Sequence, residues 1–401
     1  MGKSVYIVWL FAVIFGTVSC HQGGKLEEME GDAEPVILNI NVALSDLLPE
    51  SRAGEDAAAN EHEKMNTLRV IVVNSHNDVE GNVLLTSGGA NKEEQIVPMR
   101  HIKSKDTKTI YLIANEETKK KTIIAGMTET TKLVDYDFDK IKSGTKFPTE
   151  EIFALKVSLS HNSDQLSPDS LTGPLPMSEW YRVWIPSVAE YESNRLGEDD
   201  PLDGFFVLKD EGIVLPPEEG KEEEIYGYQK TLWITRAAVK FTCQLKNETG
   251  LPLTLKEVEI DKMAKCEYFM PRVTERKGHE ITGFVVPSEL TANSGYYTFK
   301  LKQNLPLTIP DGEQKKWEPV YLLEGKYMDS RNEDEKLNYR VSLTVDNTHG
   351  EVILSDYLPN LSQLPRNTHV VLDITVKGPK IECEVHVHPY ISVPLEPDFG
   401  L

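Results

Sequence analysis

Cysteine is scarce in this sequence and irregularly spaced. The chain has 401 residues and four cysteines, of which Cys20 follows a hydrophobic N-terminal run and Cys243, Cys266 and Cys383 lie in the second half. The three later cysteines are odd in number, so they do not form a disulfide framework, and their spacing fits no zinc pattern. We interpret them as small buried apolar residues. A Cys243–Cys266 disulfide stays open, because an exported protein can form one.

Basic charge is also in short supply. The sequence has 43 Lys and Arg residues against 64 Asp and Glu residues, which gives a formal net charge of −21. This balance argues against nucleic acid or an anionic membrane surface as the main partner. The sequence shows no Ser/His/Asp, Cys/His or paired-carboxylate arrangement and no nucleotide-binding loop. We therefore predict no enzyme, no catalytic residues, no cofactor and no metal site.

Beyond the N-terminus, the sequence has no hydrophobic run long enough to span a membrane. At the N-terminus, Lys3 precedes an apolar segment at 5–15, and small residues then lead to Cys20. This order is typical of a secretory signal peptide, here 1–19. A cysteine directly after it resembles the acceptor of a lipoprotein signal, whose thiol is acylated; cleavage without lipidation is the alternative.

Long helical patterns are scarce, whereas Val, Ile, Thr and Tyr recur in short alternating runs separated by turn residues. These runs predict an all-β protein of two β-sandwich domains. A long acidic and proline-containing stretch at 191–227 precedes a strong strand pattern that starts at Thr231. We therefore place the domain boundary at this composition change, with an N-terminal domain at 53–227 and a C-terminal domain at 228–401.

The segment from Glu34 to Leu44 has the period of two that is typical of a half-buried strand. A polar stretch without a large apolar residue follows and contains Arg52 and then Ala53. Loops of this length and composition are where proteases cut. An ordinary first strand with an exposed loop is one interpretation, and a strand released by cleavage after Arg52 is the other. The apolar face consists of Val36, Leu38, Ile40, Val42 and Leu44.

The C-terminal residues repeat this alternation. Their second face is mainly polar, and three prolines, which lack an N–H group, exclude the far part from the middle of a sheet. We expect an edge strand or a projecting tail that needs a receiving surface. The tail presents one apolar face, which includes Val385, Val387, Ile391, Val393, Leu395 and Phe399.

Other candidate sites have a structural and a functional interpretation. His386 and His388 could bind a metal or form a solvent-facing pair, and the acidic clusters at 198–203 and 218–224 could bind calcium or be solvated loops. The aromatic residues near 180 could stack on sugars, but interleaved Val and Ile favour core packing. The two arginines that open strong strands are interpreted as structural charges at sheet ends. The aromatic residues are Trp180, Tyr181 and Trp184, and the two arginines are Arg236 and Arg366.

Several short motifs together resemble the fimbrillins of Bacteroidetes, whose polymers are called type V pili. The resemblance covers nearly the whole chain and depends on the order and spacing of its motifs, since no single motif is specific. The motifs are Cys20, Ser51-Arg52-Ala53, Asn66-Thr67-Leu68-Arg69-Val70, Leu175-Pro176-Met177-Ser178, Ile234-Thr235-Arg236-Ala237-Ala238, Leu364-Pro365-Arg366-Asn367-Thr368 and the final Phe399-Gly400-Leu401.

The resemblance implies a fimbrial structural subunit with transthyretin-like sandwich domains that supports adhesion. Its precursor is anchored to the outer membrane through lipidated Cys20, and 20–52 is a propeptide that contains the first strand. An arginine-specific protease then cuts between Arg52 and Ala53. The subunit polymerises with other fimbrial subunits at the cell surface by donor-strand exchange, with Val385–Phe399 as the candidate donor strand. A glycan-binding surface lipoprotein and a non-polymerising fimbrial anchor are the alternatives. The long stretch at 191–227 has no counterpart in the resemblance.

Overall fold

Strands dominate the computed structural model, which confirms the predicted all-β class. Among the described residues, every helix is far too short to cross a membrane. In the described part of the chain, Cys243, Cys266 and Cys383 form no disulfide bond. The structure describes residues 33–45, 61–87, 92, 94–124, 127–158, 170–172, 174–187, 207–208, 227–272, 274–277, 280–284, 295–301, 304–325, 339–347, 350–358, 361 and 363–389.

Among its described residues, the N-terminal part carries twelve strands and short helical pieces. Two 3-10 turns lie at Glu61–Glu63 and Phe138–Lys140, and the helix α1 spans Thr149–Ala154. The strands are β1 (Pro35–Leu44), β2 (Thr67–Val73), β3 (Val79–Thr86), β4 (Glu94–Lys103), β5 (Asp106–Ala114), β6 (Lys119–Ile124), β7 (Met127–Lys132), β8 (Lys156–Ser158), β9 (Ser170–Thr172), β10 (Met177–Ile185), β11 (Val207–Leu208) and β12 (Gly227–Arg236).

Eight of these strands form one sheet that folds over on itself. Its order is β3-β2-β5-β10-β12-β1-β4, with β11 paired to β12. The sheet's two outer strands meet: a Cβ atom on Gly81 of β3 would lie 2.5 Å from the end of the flexible Met99 side chain of β4, which would have to move. Buried Lys108 on β5 donates to Glu80 of β3 at 2.8 Å. The enclosed core is mainly aliphatic, includes Tyr181 and Tyr228, and draws on β1, β2, β4, β5, β10 and β12.

The C-terminal part is a sandwich of two five-stranded sheets. One sheet has the order β20-β13-β24-β25 with β21 on β13, and the other has β18-β14-β22-β23 with β19 on β14. The strands of this part are β13 (Val239–Asn247), β14 (Leu253–Ala264), β15 (Cys266–Tyr268), β16 (Thr274–Lys277), β17 (Glu280–Phe284), β18 (Tyr296–Leu301), β19 (Leu307–Ile309), β20 (Gln314–Lys316), β21 (Val320–Leu322), β22 (Arg340–Asn347), β23 (Gly350–Tyr357), β24 (Thr368–Lys377) and β25 (Lys380–Pro389).

The sheet order corrects the predicted domain boundary at 227/228. β12 pairs in parallel with β1 and in antiparallel with β10, so it belongs to the N-terminal sheet. The change of sheet comes after Arg236, where β13 begins the C-terminal sandwich at Val239. The acidic stretch at 191–226 therefore connects two strands of one sheet. Composition marks a long connection, but it does not show which sheet the next strand joins.

A third apolar cluster joins the folded N-terminal sheet to the C-terminal sandwich. Ile71 and Tyr111, on the outer face of the N-terminal sheet, belong to the same cluster as Phe269, Met270 and Leu323 of the C-terminal part. The described residues from Glu34 onwards accordingly form one compact unit.

Buried charges lie at the same junction, around Arg366. The Arg366 guanidinium contacts Glu324 at 2.7 Å and Glu267 at 3.7 Å, and all three side chains are buried. It also donates to the carbonyl of Phe269 at 2.8 Å. Glu267 in turn accepts from the backbone N–H of Glu324 at 2.6 Å. Arg366 is therefore a structural charge, as expected, but it lies inside the junction.

Burial raises the pKa of Glu267 to about 8, since desolvation of the carboxylate and the nearby Glu324 outweigh the attraction of Arg366. The folded protein then keeps a proton on Glu267 that the unfolded chain has already released at neutral pH. A group of this kind stabilises the fold fully below its unfolded pKa of 4.5, and the stabilisation is lost as the pH rises towards 8.

We predict that Glu267→Gln removes this pH dependence, because glutamine does not titrate. In urea unfolding at pH values from about 5 to 9, the variant should gain stability relative to the wild type as the pH rises, with a plateau above about 8. Glu351→Gln, at an exposed carboxylate on β23, is the matched control and should show a constant difference. A constant difference for Glu267→Gln as well would show that Glu267 is ionised throughout.

Candidate functional site

The first strand is an inner strand of the N-terminal sheet. β1 pairs in parallel with β12 from Ile37 to Leu44 and in antiparallel with β4 from Pro35 to Ala43. It therefore fills a slot between β4 and β12, which we call the first-strand groove. The five alternating side chains are all buried, as their pattern predicts, and these are Val36, Leu38, Ile40, Val42 and Leu44.

The walls of the first-strand groove are apolar except at two positions. On β12, Tyr228, Leu232 and Ile234 face the core next to β1, and on β4, Val97, Met99 and Ile102 do so. The two polar members are Lys230, beside Ile40 on β12, and Gln95, opposite Val42 on β4. Both are buried. The alternation of Gln95 with Val97 and Met99 is the signal in the sequence for an inward-facing glutamine.

The outer face of β1 is tied to both neighbouring strands through Asn41. Its amide nitrogen donates to Glu94 of β4 and, at 3.3 Å, to the Thr231 hydroxyl of β12. One side chain of β1 therefore contacts both walls of the groove in addition to the backbone ladders.

Both ends of β1 are fixed by hydrogen bonds. At its start, the Ser104 N–H donates to the Glu34 carbonyl at 3.0 Å, and the Glu34 N–H donates to the Ser104 hydroxyl at 3.0 Å. At its end, the Ser45 N–H donates to the carbonyl of Ile234 at 2.9 Å. The Ser45 carbonyl accepts from Arg236 Nη1 at 3.2 Å.

Arg236 links the end of β1 to both sides of the domain junction. Its Nε donates to the Glu63 carbonyl at 3.2 Å, and its Nη1 donates to Asn367 Oδ1 at 3.3 Å. Glu63 is itself held by C-terminal residues, since its carboxylate accepts from Lys240 at 2.9 Å and from the Tyr321 hydroxyl at 2.6 Å. A break between Ser45 and Glu61 would therefore leave the chain after the break anchored in the protein.

The predicted processing and lipidation residues Cys20, Arg52 and Ala53 lie outside the described residues. The predicted donor strand lies partly within them. Val385 and Val387 belong to β25, where they pair with Leu372 and Val370 of β24. Residues 385–389 therefore lie in an edge strand of their own domain's sheet, which is one of the two predicted arrangements. The remaining donor residues Ile391, Val393, Leu395 and Phe399 lie outside the described residues.

The aromatic residues near 180 pack internally. Tyr181 is buried, and its hydroxyl donates to the Trp233 carbonyl at 2.7 Å and accepts from the Trp233 N–H at 3.1 Å. The Trp180 ring packs edge-on against Phe153 with centroids 5.7 Å apart, and its Nε1 donates to the Pro271 carbonyl at 3.3 Å. Trp184 is half-buried on β10.

The candidate metal sites divide between described and undescribed residues. His386 lies 3.3 Å from Glu384 and 3.8 Å from Asp373 on the surface of β25. Its neighbour His388 stands opposite His369. Within the described part of the chain, no group of three His, Cys, Asp or Glu side chains could hold a metal ion. The acidic clusters at 198–203 and 218–224 lie outside that part.

We predict that Arg236→Lys loosens the C-terminal end of β1. Lysine has one ammonium group in place of a planar fork, so it cannot bond Ser45, Glu63 and Asn367 together. Loss of these charged hydrogen bonds should lower the free energy of unfolding by about 1.5–3 kcal/mol. In hydrogen exchange, Val42–Ser45 should lose more protection than Val36–Leu38.

Arg340→Lys is the matched control, because Arg340 makes a half-exposed ion pair with Asp261 in the other sandwich. It should leave the exchange of β1 unchanged and cost no more than about 1 kcal/mol. Unchanged protection of β1 in Arg236→Lys would show that the strand is held without this clamp.

Comparison with known proteins identifies the fold of this chain through solved structures. No protein-family model and no curated protein sequence matches the chain. The structure is similar to that of a candidate cell adhesion protein from Parabacteroides distasonis, with a TM-score of 0.52 and 14% identity over 87% of this chain and 96% of the other. Also similar are the tip fimbrial protein Mfa3 with a C-terminal truncation (TM-score 0.49, 12% identity, 89% and 100% covered) and the fimbrilin FimA (0.46, 12%, 89% and 98%), both from Porphyromonas gingivalis. The first similarity shows that this chain has the fold of the Parabacteroides distasonis protein.

Proposed function

We propose that this chain is a structural subunit of a cell-surface fimbria, assembled by strand exchange in the first-strand groove. The observation that carries the proposal is the position of β1. It is an inner strand with a fully apolar inward face, and a polar connection that contains Arg52 joins it to the rest of the protein. Cleavage after Arg52 would leave β1 held by non-covalent contacts alone. The candidate adhesion protein that shares the fold is consistent with this role.

The energetics of the groove favour refilling once β1 has left. Five buried aliphatic side chains contribute roughly 1.5–3 kcal/mol each, or on the order of 10 kcal/mol together. The backbone groups of β4 and β12 that β1 satisfies would also lose their partners. A strand from another subunit can restore both terms by β-augmentation. An empty groove is therefore unstable, and exchange into it is close to irreversible, as a structural polymer requires.

The proposed route has three steps before assembly. The precursor is exported and lipidated on Cys20, which anchors it to the outer membrane. An arginine-specific protease then cuts between Arg52 and Ala53 and releases 20–52. The donor is a strand from another subunit, and the segment after Pro389 is the candidate donor of this chain.

We predict that Arg52→Ala blocks assembly. Without cleavage, β1 stays attached and competes for its groove at a high effective concentration. The variant should be monomeric, whereas Ser51→Ala, one residue away, should be processed and polymerise like the wild type. N-terminal sequencing and gel ladders of protein sheared from cells measure both steps. Full-length ladders from Arg52→Ala would exclude release of β1 as the switch and favour a fimbrial anchor or a glycan-binding lipoprotein.

We also predict that Cys20→Ser prevents acylation, because the thiol is the acceptor. Cells supplied with a clickable fatty acid should label the wild-type chain and leave the variant unlabelled. The Cys266→Ser variant is the control for loss of a thiol, and it should be labelled like the wild type. Equal labelling of Cys20→Ser and wild type would remove the lipoprotein step from the proposal.

A further inference from the structure

Gln95 is a buried polar residue in an otherwise apolar wall. Its side chain is 6% exposed, and its Nε2 atom is buried without a hydrogen-bond partner. It projects into the first-strand groove from β4 together with Val97 and Met99. A buried amide group without a partner carries an uncompensated desolvation cost. This cost is present while β1 occupies the groove.

The residue of β1 that faces Gln95 is Val42. The two stand directly opposite each other in the antiparallel ladder, with Leu232 of β12 on the other side of Val42. Side chains in such a pair are in contact range. Valine has no hydrogen-bonding group, so β1 fits the shape of the groove and leaves Gln95 unpaired. Rotation of the amide by half a turn would bury its oxygen in the same place and would not remove the cost.

We propose that Gln95 determines which strand the groove prefers, and that it selects one with threonine or serine at the position of Val42. A hydroxyl group both donates and accepts, so it can pair with either end of the amide. Threonine has nearly the shape of valine and would keep the apolar contacts. The inference rests on the proposed strand exchange, and it gives the incoming strand an advantage that β1 lacks.

The selected strand belongs to a subunit with a different sequence and not to a second copy of this chain. The apolar face of this chain's own final segment offers only aliphatic side chains, proline and phenylalanine, and none of them can pair with Gln95. Its opposite face contains Ser392, but entry by that face would bury the carboxylates of Glu396 and Asp398 in an apolar slot. The apolar face consists of Ile391, Val393, Leu395, Pro397 and Phe399.

A double-mutant cycle in the full chain tests the pairing without any exchange step. Val42→Thr is compared with Val36→Thr, which is the same chemical change on the same buried face, opposite the apolar Ile102. Val42→Thr should lower the melting temperature less than Val36→Thr. In a Gln95→Leu background this difference should disappear, and Gln95→Leu alone should raise the melting temperature. Equal losses for the two threonine variants, whatever residue stands at 95, would overturn the proposal.

Peptide exchange tests the selection itself. The processed chain, cut after Arg52, is incubated with labelled peptides of residues 34–45 that carry either Val42→Thr or Val36→Thr. The first peptide should be taken up with about tenfold higher affinity than the second, and Gln95→Leu should abolish the preference. Uptake of both peptides with equal affinity would overturn the proposal. If the processed chain takes up neither peptide while the cycle shows coupling, strand exchange fails and the preference of Gln95 stands.

Discussion

Two strand edges, those of β4 and β12, can form hydrogen bonds along their facing sides only if a third strand lies between them. β1 supplies that strand, in antiparallel to β4 and in parallel to β12. The same strand also completes the core, because its inward face is packed against residues from across the folded sheet. The N-terminal sandwich therefore depends on the occupancy of one slot. The contacts that β4 and β12 make with the strand between them are non-covalent, and this makes the position suitable for exchange.

The ends of the connection around Arg52 are held at the domain junction. The carbonyl groups of Ser45 on one side and Glu63 on the other both accept hydrogen bonds from Arg236. Departure of β1 would remove the Ser45 carbonyl, while Glu63 would stay bound to Lys240 and Tyr321 of the C-terminal part. The new N-terminal segment of a processed chain would thus remain docked. The contacts of the junction do not depend on β1, since its apolar cluster and the Arg366 charges do not include that strand.

Two polar side chains are buried in apolar surroundings, where the local sequence pattern alone does not show what they contact. Gln95 stands in a row of aliphatic residues and faces valine, and Glu267 is buried beside a second carboxylate with one arginine between them. Burial of each group costs desolvation free energy, which the favourable interactions of the rest of the fold offset. In the first-strand groove, the desolvation cost of Gln95 is the basis of the proposed preference for a strand other than β1. At the junction, burial retains a proton on Glu267 and links stability to pH.

The sequence by itself determined the all-β class and the buried face of the first strand, because both follow from the period-two alternation of side chains such as Val36, Leu38 and Ile40. The tertiary structure decided the partners of that strand, since register and neighbours depend on contacts between distant residues. It placed Gly227–Arg236 in the N-terminal sheet, where loop composition indicated a domain boundary. It placed Val385 and Val387 in an edge strand paired on one side, where alternation alone left an edge strand and a projecting tail open. It also brought Gln95 opposite Val42, 53 positions apart in the chain. Local patterns show which face of a strand is apolar, and only packing shows what that face meets.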